Sequence, residues 1–221
     1  MSLNANLIKE LREKSGAGIV DCKNALMQNE NDIEKSIDWL RKKGLSVAAK
    51  KSGRVAAEGL VGVHINNNQA CLIEINSETD FVSRNEQFQK FVNDCSQIAT
   101  TTDGDLDSLL KSKFIESDNT VEDELTKNIA TIGENLNIRR IEKITLHEPG
   151  SIVSYVHNSV SENLGKIAVI LSLKSNANQN SLENIGKKIA MHIAASNPIS
   201  LNLDGLDPKI VDKERKVLIE Q

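Results

Sequence analysis

Apolar residues in the first part of the chain recur at helical spacing in three short stretches. Gly16 and Gly18 separate the first stretch from the second, and the polar residues 29–31 separate the second from the third. Three cations followed by Gly44 have the form of a helix end, so the third helix is expected to stop there. The pattern predicts a three-helix module whose apolar positions are Leu3, Leu7, Ile8, Leu11, Ile19, Cys22, Ala25, Leu26, Ile33, Ile37 and Leu40.

The pattern then changes to short apolar runs that are typical of strands. Residues 60–65 and 71–75 flank a polar turn rich in Asn, which tolerates left-handed backbone angles, so a hairpin is predicted. A helix with one apolar face follows, and Ser83 and Glu86 have the spacing of a capping box at its start. A further strand is predicted at 138–146.

The same order of strand, hairpin, strand and helix recurs later, with strands at 152–157 and 166–174. We therefore expect an α+β fold: a three-helix module, then a core of two similar subdomains, each an antiparallel sheet covered by helices. The second predicted sheet has two strands and an open edge, which a second copy of the chain could complete. The predicted divisions are 1–54 for the module and linker, 55–146 and 147–199 for the subdomains, and 200–221 for the start of a C-terminal helix.

Composition narrows the class of partner. Of the 221 residues, 39% are hydrophobic and 26% charged, which is typical of a soluble globular protein. The formal charge of −4 and the small number of aromatic residues argue against direct binding of nucleic acid. No apolar run is long enough to cross a membrane, and the N-terminus lacks a secretory segment. Three cysteines without CxxC spacing fit a reducing compartment, so a cytoplasmic location is expected.

No arrangement of residues predicts covalent chemistry. The sequence contains no phosphate-binding glycine loop, nucleophile elbow or HExxH motif. Its four histidines are scattered and do not pair with the cysteines at metal-ligand spacing. We therefore expect a protein that is not an enzyme and that uses no metal or cofactor.

One short segment, the elbow (Thr79, Asp80, Phe81 and Val82), allows two interpretations. It lies between a predicted strand and the helix with the proposed Ser83 cap. Phe81 and Val82 could fold back over that helix as a hydrophobic staple, although the staple position opposite Val82 is the polar Gln87. Alternatively, an Asp beside a projecting Phe could form a wedge that enters a partner. The pattern alone favours neither.

Five blocks in order along the chain resemble the bacterial translation elongation factor Ts family. They are LIKELR with GAGIVDCK (7–12 and 16–23), TDFV (79–82), GEN with IRR (133–135 and 138–140), SYVH (154–157) and MHIAAS (191–196). The resemblance implies that the first module is similar to a ubiquitin-associated domain and that the body is a core of two subdomains. Longer members continue through a helical hairpin and a returning strand, so residues 200–221 are expected to begin that hairpin.

The resemblance also implies a function, which is guanine nucleotide exchange on the GDP form of elongation factor Tu. It is compatible with a homodimer of this chain or with a 2:2 complex of the two proteins. In the TDFV motif, Phe81 is expected to enter a partner pocket beside the Mg²⁺ and phosphate loops, and Asp80 to disturb the Mg²⁺ site. The first module is expected to dock on the partner's GTPase domain through Ile19, Val20 and Lys23. His157 is expected to contact a second partner domain.

Two rival functions have different signatures. The three helices alone would also suit a peptide-binding adaptor of the ubiquitin-associated type, which would bind through residues 1–54. A hydrolase could use Asp80 with a nearby histidine, and it would show turnover without any GTPase present. The adaptor leaves the elbow and the repeated body without a role.

Overall fold

The chain was analysed as a computed structural model that describes residues 5–220, so the predictions for Leu3 and the other outermost residues lie outside it. The α-helices of this part are α1 (Ala5–Ser15), α2 (Ile19–Gln28), α3 (Ile33–Lys51), α4 (Glu86–Thr101), α5 (Leu106–Lys111), α6 (Val121–Ile132), α7 (Gln179–Ser196) and α8 (Pro208–Glu220). The strands are β1 (Glu58–Asn66), β2 (Gln69–Ser77), β3 (Asn137–Thr145), β4 (Gly150–His157), β5 (Leu164–Gly165) and β6 (Ile167–Lys174). This arrangement confirms the predicted α+β class.

The first three helices pack together around a small core, as the apolar spacing predicted. Leu11, Cys22, Ala25 and Leu26 are fully buried, and partly buried residues of α1 and α3 surround them. One residue of the predicted apolar set differs: Ile19, in the first turn of α2, is 56% exposed. The helical spacing identified the correct elements but placed this side chain in the core, whereas it faces solvent.

The predicted end of α3 at Gly44 is wrong, because the helix continues to Lys51. Gly44 is buried within the helix and faces α6, where an added Cβ would lie 3.7 Å from the side chains of Ala130 and Thr126. The Ala- and Lys-rich residues that follow favour helix and continue it. The second half of α3 therefore packs on the body of the protein, and Ala48 contacts its core.

The first sheet has the strand order β3-β2-β1-β5, with β2 in its interior. The predicted hairpin is present: β1 and β2 pair from Glu58↔Ser77 to Asn66↔Gln69. Its two-residue turn holds Asn67 at a φ of 53°, which suits Asn. Helix α4 covers one face of the sheet and buries Phe88, Val92 and Cys95.

The fourth strand of this sheet was not predicted. Residues Leu164 and Gly165 pair with Gly62 and Val61 in the middle of β1, and Leu164 is buried. Gly62 makes room for this contact, because a Cβ there would lie 3.3 Å from Leu164 Cδ2 and 2.9 Å from Val92 Cγ1. A two-residue strand is too short to leave an alternating pattern in the sequence.

The second sheet consists of β4 and β6, which pair antiparallel from Gly150↔Lys174 to His157↔Ile167. Helix α7 packs on it, as predicted, and its glycine Gly186 allows close approach. A Cβ at Gly186 would lie only 2.7 Å from Val153 Cγ2. Each half of the body thus has a sheet covered on one face, the second by the single helix α7 in the described part of the chain, and the first sheet also takes β5 from the second half.

The two sheets should differ in hydrogen-exchange protection. Strand β2 has a paired neighbour on each side, whereas β4 and β6 each have one neighbour in the described part of the chain. Amides that point away from the single partner lack a sheet hydrogen bond. We expect β4 and β6 to exchange faster than β2 in dilute protein, measured by hydrogen–deuterium exchange with mass spectrometry. Equal protection would show that the edges of the second sheet are covered in solution.

Candidate partner-binding site

The elbow connects the end of β2 to α4 through a short 3₁₀ helix, Asp80–Arg84. Within this turn neighbouring side chains have opposite environments: Val82 is 5% exposed and packs in the main core, whereas Phe81 is 78% exposed. Asp80 is also exposed. The turn therefore anchors itself with one apolar side chain and presents the other to solvent beside a carboxylate.

The predicted cap of α4 at Ser83 is wrong, and the helix begins two residues later. Asn85 is the N-cap, and its side-chain oxygen accepts a hydrogen bond from the Phe88 N–H at 3.1 Å. Ser83 is buried in the 3₁₀ helix, where its hydroxyl donates to the Asp80 carbonyl. Because this turn lies between the strand and the helix, the Ser–x–x–Glu spacing did not mark the cap.

The correct cap excludes the staple interpretation of the elbow. A staple joins the residue before the cap to the fourth helical residue, which are here Arg84 and Gln89. Neither Phe81 nor Val82 occupies such a position. Val82 has a structural role in the core, and the Phe81 ring is free for contact with another molecule.

Hydrogen bonds to a loop that is distant in sequence hold the start of the elbow. Glu134, just after α6, accepts from both the Thr79 N–H (2.9 Å) and the Thr79 hydroxyl (2.6 Å). In the opposite direction, the Asn135 N–H donates to Glu78 Oε1 at 2.6 Å. This hydrogen bond, with Arg54 nearby, holds the pKa of Glu78 below its ordinary value. The Glu134 carboxylate thus binds Thr79 just after the end of β2, and the Glu78 carboxylate binds the loop that contains Glu134.

A second exposed apolar surface lies on α2 of the first module. Ile19, Val20 and Lys23 are all exposed, as expected for a docking surface with a cation at its rim. Met27 extends this surface and is 60% exposed, although it is not among the predicted contact residues. Its signal was the recurrence of Ile19, Lys23 and Met27 at four-residue intervals, which places them on one helix face.

The third predicted contact residue, His157, is the last residue of β4 and is exposed. Its Nδ1 lies 2.9 Å from the hydroxyl of Tyr155, and the two rings are 6.0 Å apart. The backbone carbonyl of His157 accepts from the Lys166 N–H, next to β5. The imidazole is therefore oriented by a neighbour and fixed close to the junction between the two sheets.

The groups that could support covalent or metal chemistry are dispersed or buried. Burial raises the pKa of all three thiols, that of Cys71 to about 12, so they are poor nucleophiles at neutral pH. Between residues 5 and 220, no cluster of three or more His, Cys, Asp or Glu side chains could hold a metal ion. No helix in this range is long and apolar enough to span a membrane.

The predicted site residues lie on three units of the fold, the elbow, the face of α2 and the end of β4, and all of them except Val82 and the half-buried Thr79 are exposed. Exposed apolar side chains on rigid elements are typical of surfaces that bind another macromolecule. This α+β fold with exposed apolar groups on separate elements is typical of a protein that binds another macromolecule.

Comparison with known proteins identifies the family. Residues 78–221 match the family described as Elongation factor TS. An Elongation factor Ts from Methylobacterium radiotolerans is 50% identical over 220 residues, covering 100% of this chain and 71% of the relative. Those from Methylorubrum populi (49% identical, 100% and 72% covered) and Sphingopyxis alaskensis (50%, 99% and 71%) are similar. The chain belongs to the elongation factor Ts family, which confirms the assignment from the five sequence blocks.

The contrast between Phe81 and Val82 can be tested by stability alone. We expect Val82→Ala to lower the free energy of unfolding by about 2 kcal/mol, because it removes buried methyl groups and leaves a cavity. Phe81→Ala should change it by less than about 0.5 kcal/mol, since the ring is exposed. Urea denaturation of both variants measures the difference. A large loss in Phe81→Ala would mean that the ring packs on the protein itself.

Proposed function

We propose that this protein is a guanine nucleotide exchange factor for elongation factor Tu: it binds the GDP form, weakens Mg²⁺ and phosphate binding and releases GDP. The proposal rests on family membership and on one observation, the exposed Phe81 ring held beside Asp80 on an anchored turn. On this proposal the protein makes and breaks no covalent bond, and its effect comes entirely from binding.

Thermodynamic linkage sets the size of the required effect. If the factor weakens GDP binding by some ratio, GDP weakens binding of the factor by the same ratio. A hundredfold ratio corresponds to about 2.8 kcal/mol. Burial of one Phe side chain contributes roughly 1.5–3 kcal/mol. One ring can therefore supply much of the coupling, provided that it is buried only when the nucleotide site is open.

Each residue of the elbow has a distinct role in this proposal. Phe81 enters a pocket of the partner beside its Mg²⁺ and phosphate loops, and Asp80 brings a negative charge towards the groups that support Mg²⁺. Val82 anchors the turn in the core of this protein, and Thr79 donates two hydrogen bonds to the Glu134 carboxylate. The GDP phosphates then lose part of their counter-charge, which favours release.

The other two exposed groups bring the wedge to its target. Ile19, Val20 and Met27 provide an apolar contact for the GTPase domain, and Lys23 adds a positive charge at its rim. His157 contacts a second domain of the partner. Binding at separate points on one folded body restricts the orientations in which Phe81 meets the partner, so less binding free energy is lost to ordering.

The exchange reaction itself tests the wedge. Wild-type protein should accelerate release of fluorescent GDP from elongation factor Tu, and Phe81→Ala should slow that catalysed release by about tenfold to hundredfold, since the buried ring contact is lost. Phe81→Leu, which keeps an apolar side chain, is the matched control and should retain more activity. Wild-type exchange rates in Phe81→Ala would rule out the wedge, and no acceleration by the wild type would rule out the proposed function.

The face of α2 should affect the rate at which this protein associates with elongation factor Tu and the affinity of the complex. We expect Lys23→Glu to slow association with the GDP form of elongation factor Tu by about tenfold at low salt, because a rim charge steers encounter. The difference should shrink as salt rises and screens the charge. Lys111→Glu makes the same charge change at an exposed position on α5 and serves as control. Equal effects of the two variants, measured by stopped-flow at several salt concentrations, would contradict docking through α2.

A further inference from the structure

The GEN block (Gly133, Glu134 and Asn135) contributes to the resemblance, but none of its residues belongs to the groups proposed to contact the partner. We propose that Glu134 is a positioning residue for the exchange reaction: it acts through Phe81 by fixing the direction in which the elbow leaves β2. This inference rests on the proposed function and adds a residue that does not itself touch the nucleotide or its Mg²⁺.

The geometry at Thr79 carries the inference. Each carboxylate oxygen of Glu134 accepts one hydrogen bond, Oε2 from the Thr79 N–H and Oε1 from the Thr79 hydroxyl. The Thr79 carbonyl in turn accepts from the Ser77 hydroxyl at 2.9 Å. The N–H, the hydroxyl and the carbonyl of this one residue are all engaged, directly before the turn that carries Phe81.

Thr79 also makes an unusual use of its hydroxyl. It stands at the N-cap of the 3₁₀ helix with extended backbone angles, where a Thr side chain commonly accepts a hydrogen bond from the following turn. Here it makes no such bond to the turn and donates to Glu134. The turn is therefore fixed to a distant loop at the point where a local cap would normally hold it.

That loop is itself held firmly, so it can serve as a support. The Asn135 N–H donates to Glu78, and its side-chain Nδ2 donates to the Arg54 carbonyl at 2.7 Å. Lys51 Nζ donates to the Gly133 carbonyl at 2.6 Å. The loop thus joins the end of α3, the end of β2 and the elbow.

Phe81 depends on this support because its own ring is mostly exposed and gains little orientation from packing. A mobile elbow would have to be ordered when the ring enters the partner, and that ordering would reduce the favourable free energy of the open complex. Loss of Glu134 should therefore affect the step that opens the nucleotide site more than docking through α2 and His157.

The test compares Glu134→Ala with the conservative Glu134→Gln. Glu134→Ala loses two hydrogen bonds and should lower the maximal rate of GDP release from elongation factor Tu about tenfold. The Kd of this protein for elongation factor Tu with GDP bound should change little. Glu134→Gln should recover most of the rate, because its amide can still pair with both Thr79 groups. The matched control is Glu124→Ala, on the preceding helix, which also removes a carboxylate that accepts from loop groups, Asn119 Nδ2 and the Ser117 hydroxyl. It should leave the maximal rate unchanged even where it lowers stability.

A double-mutant cycle with Phe81→Ala separates positioning from a general structural effect. If Glu134 acts through Phe81, Glu134→Ala should have little further effect on release in the Phe81→Ala background. In free protein, the amides of residues 80–85 should exchange faster in Glu134→Ala than in wild type or Glu124→Ala. Additive rates, or unchanged protection of residues 80–85, would overturn the positioning role while leaving the exchange function intact. A wild-type protein that fails to release GDP would overturn the proposed function and, with it, the role of Glu134 in exchange.

Discussion

The position of β2 inside the first sheet is the constraint on which the candidate site depends. Strand β2 pairs with β1 on one side and β3 on the other, so its end is fixed by two ladders of hydrogen bonds. The elbow starts directly after that end, and Val82 returns to the core beneath it. The side chain that we propose acts on a partner, Phe81, is thus carried by a well-supported point of the fold, although its own ring lies in solvent.

The first module is attached to this scaffold by more than a linker. Helix α3 has two partners: its first half completes the three-helix core, and its second half packs on α6. Arg41 forms an ion pair with Asp123 of α6 at 2.7 Å, and the Arg54 carbonyl accepts from the buried Asn135 side chain. The face of α2 and the elbow are consequently related through packed elements, as the proposed contact with one partner at several points would require.

Local features of the structure could be read from the sequence, and features that depend on distant contacts could not. The Asn-rich turn between β1 and β2 is determined by neighbouring residues, and its pattern predicted the hairpin. The end of α3 was misplaced because glycine ends many helices, whereas here Gly44 lies inside the helix, where it faces α6. The candidate site shows the same limit. The TDFV motif located the elbow, but the burial of Val82 and the exposure of Phe81 follow from the 3₁₀ turn, which the sequence did not predict. The hold of Glu134 on Thr79 joins segments far apart in sequence, which no local pattern reveals.

The pairing of β5 with β1 has a consequence for how the chain assembles during synthesis. β1, β2 and β3 are complete once the residues up to Thr145 are available, and the bonds between Glu134 and Thr79 form within the same segment. Val61 and Gly62, however, pair with residues that emerge later, and contacts so distant in sequence form slowly. Until then the middle of β1 presents free backbone groups that could pair with another nascent chain. The two-residue strand β5 therefore closes this edge of the first sheet only after the later part of the chain has been made.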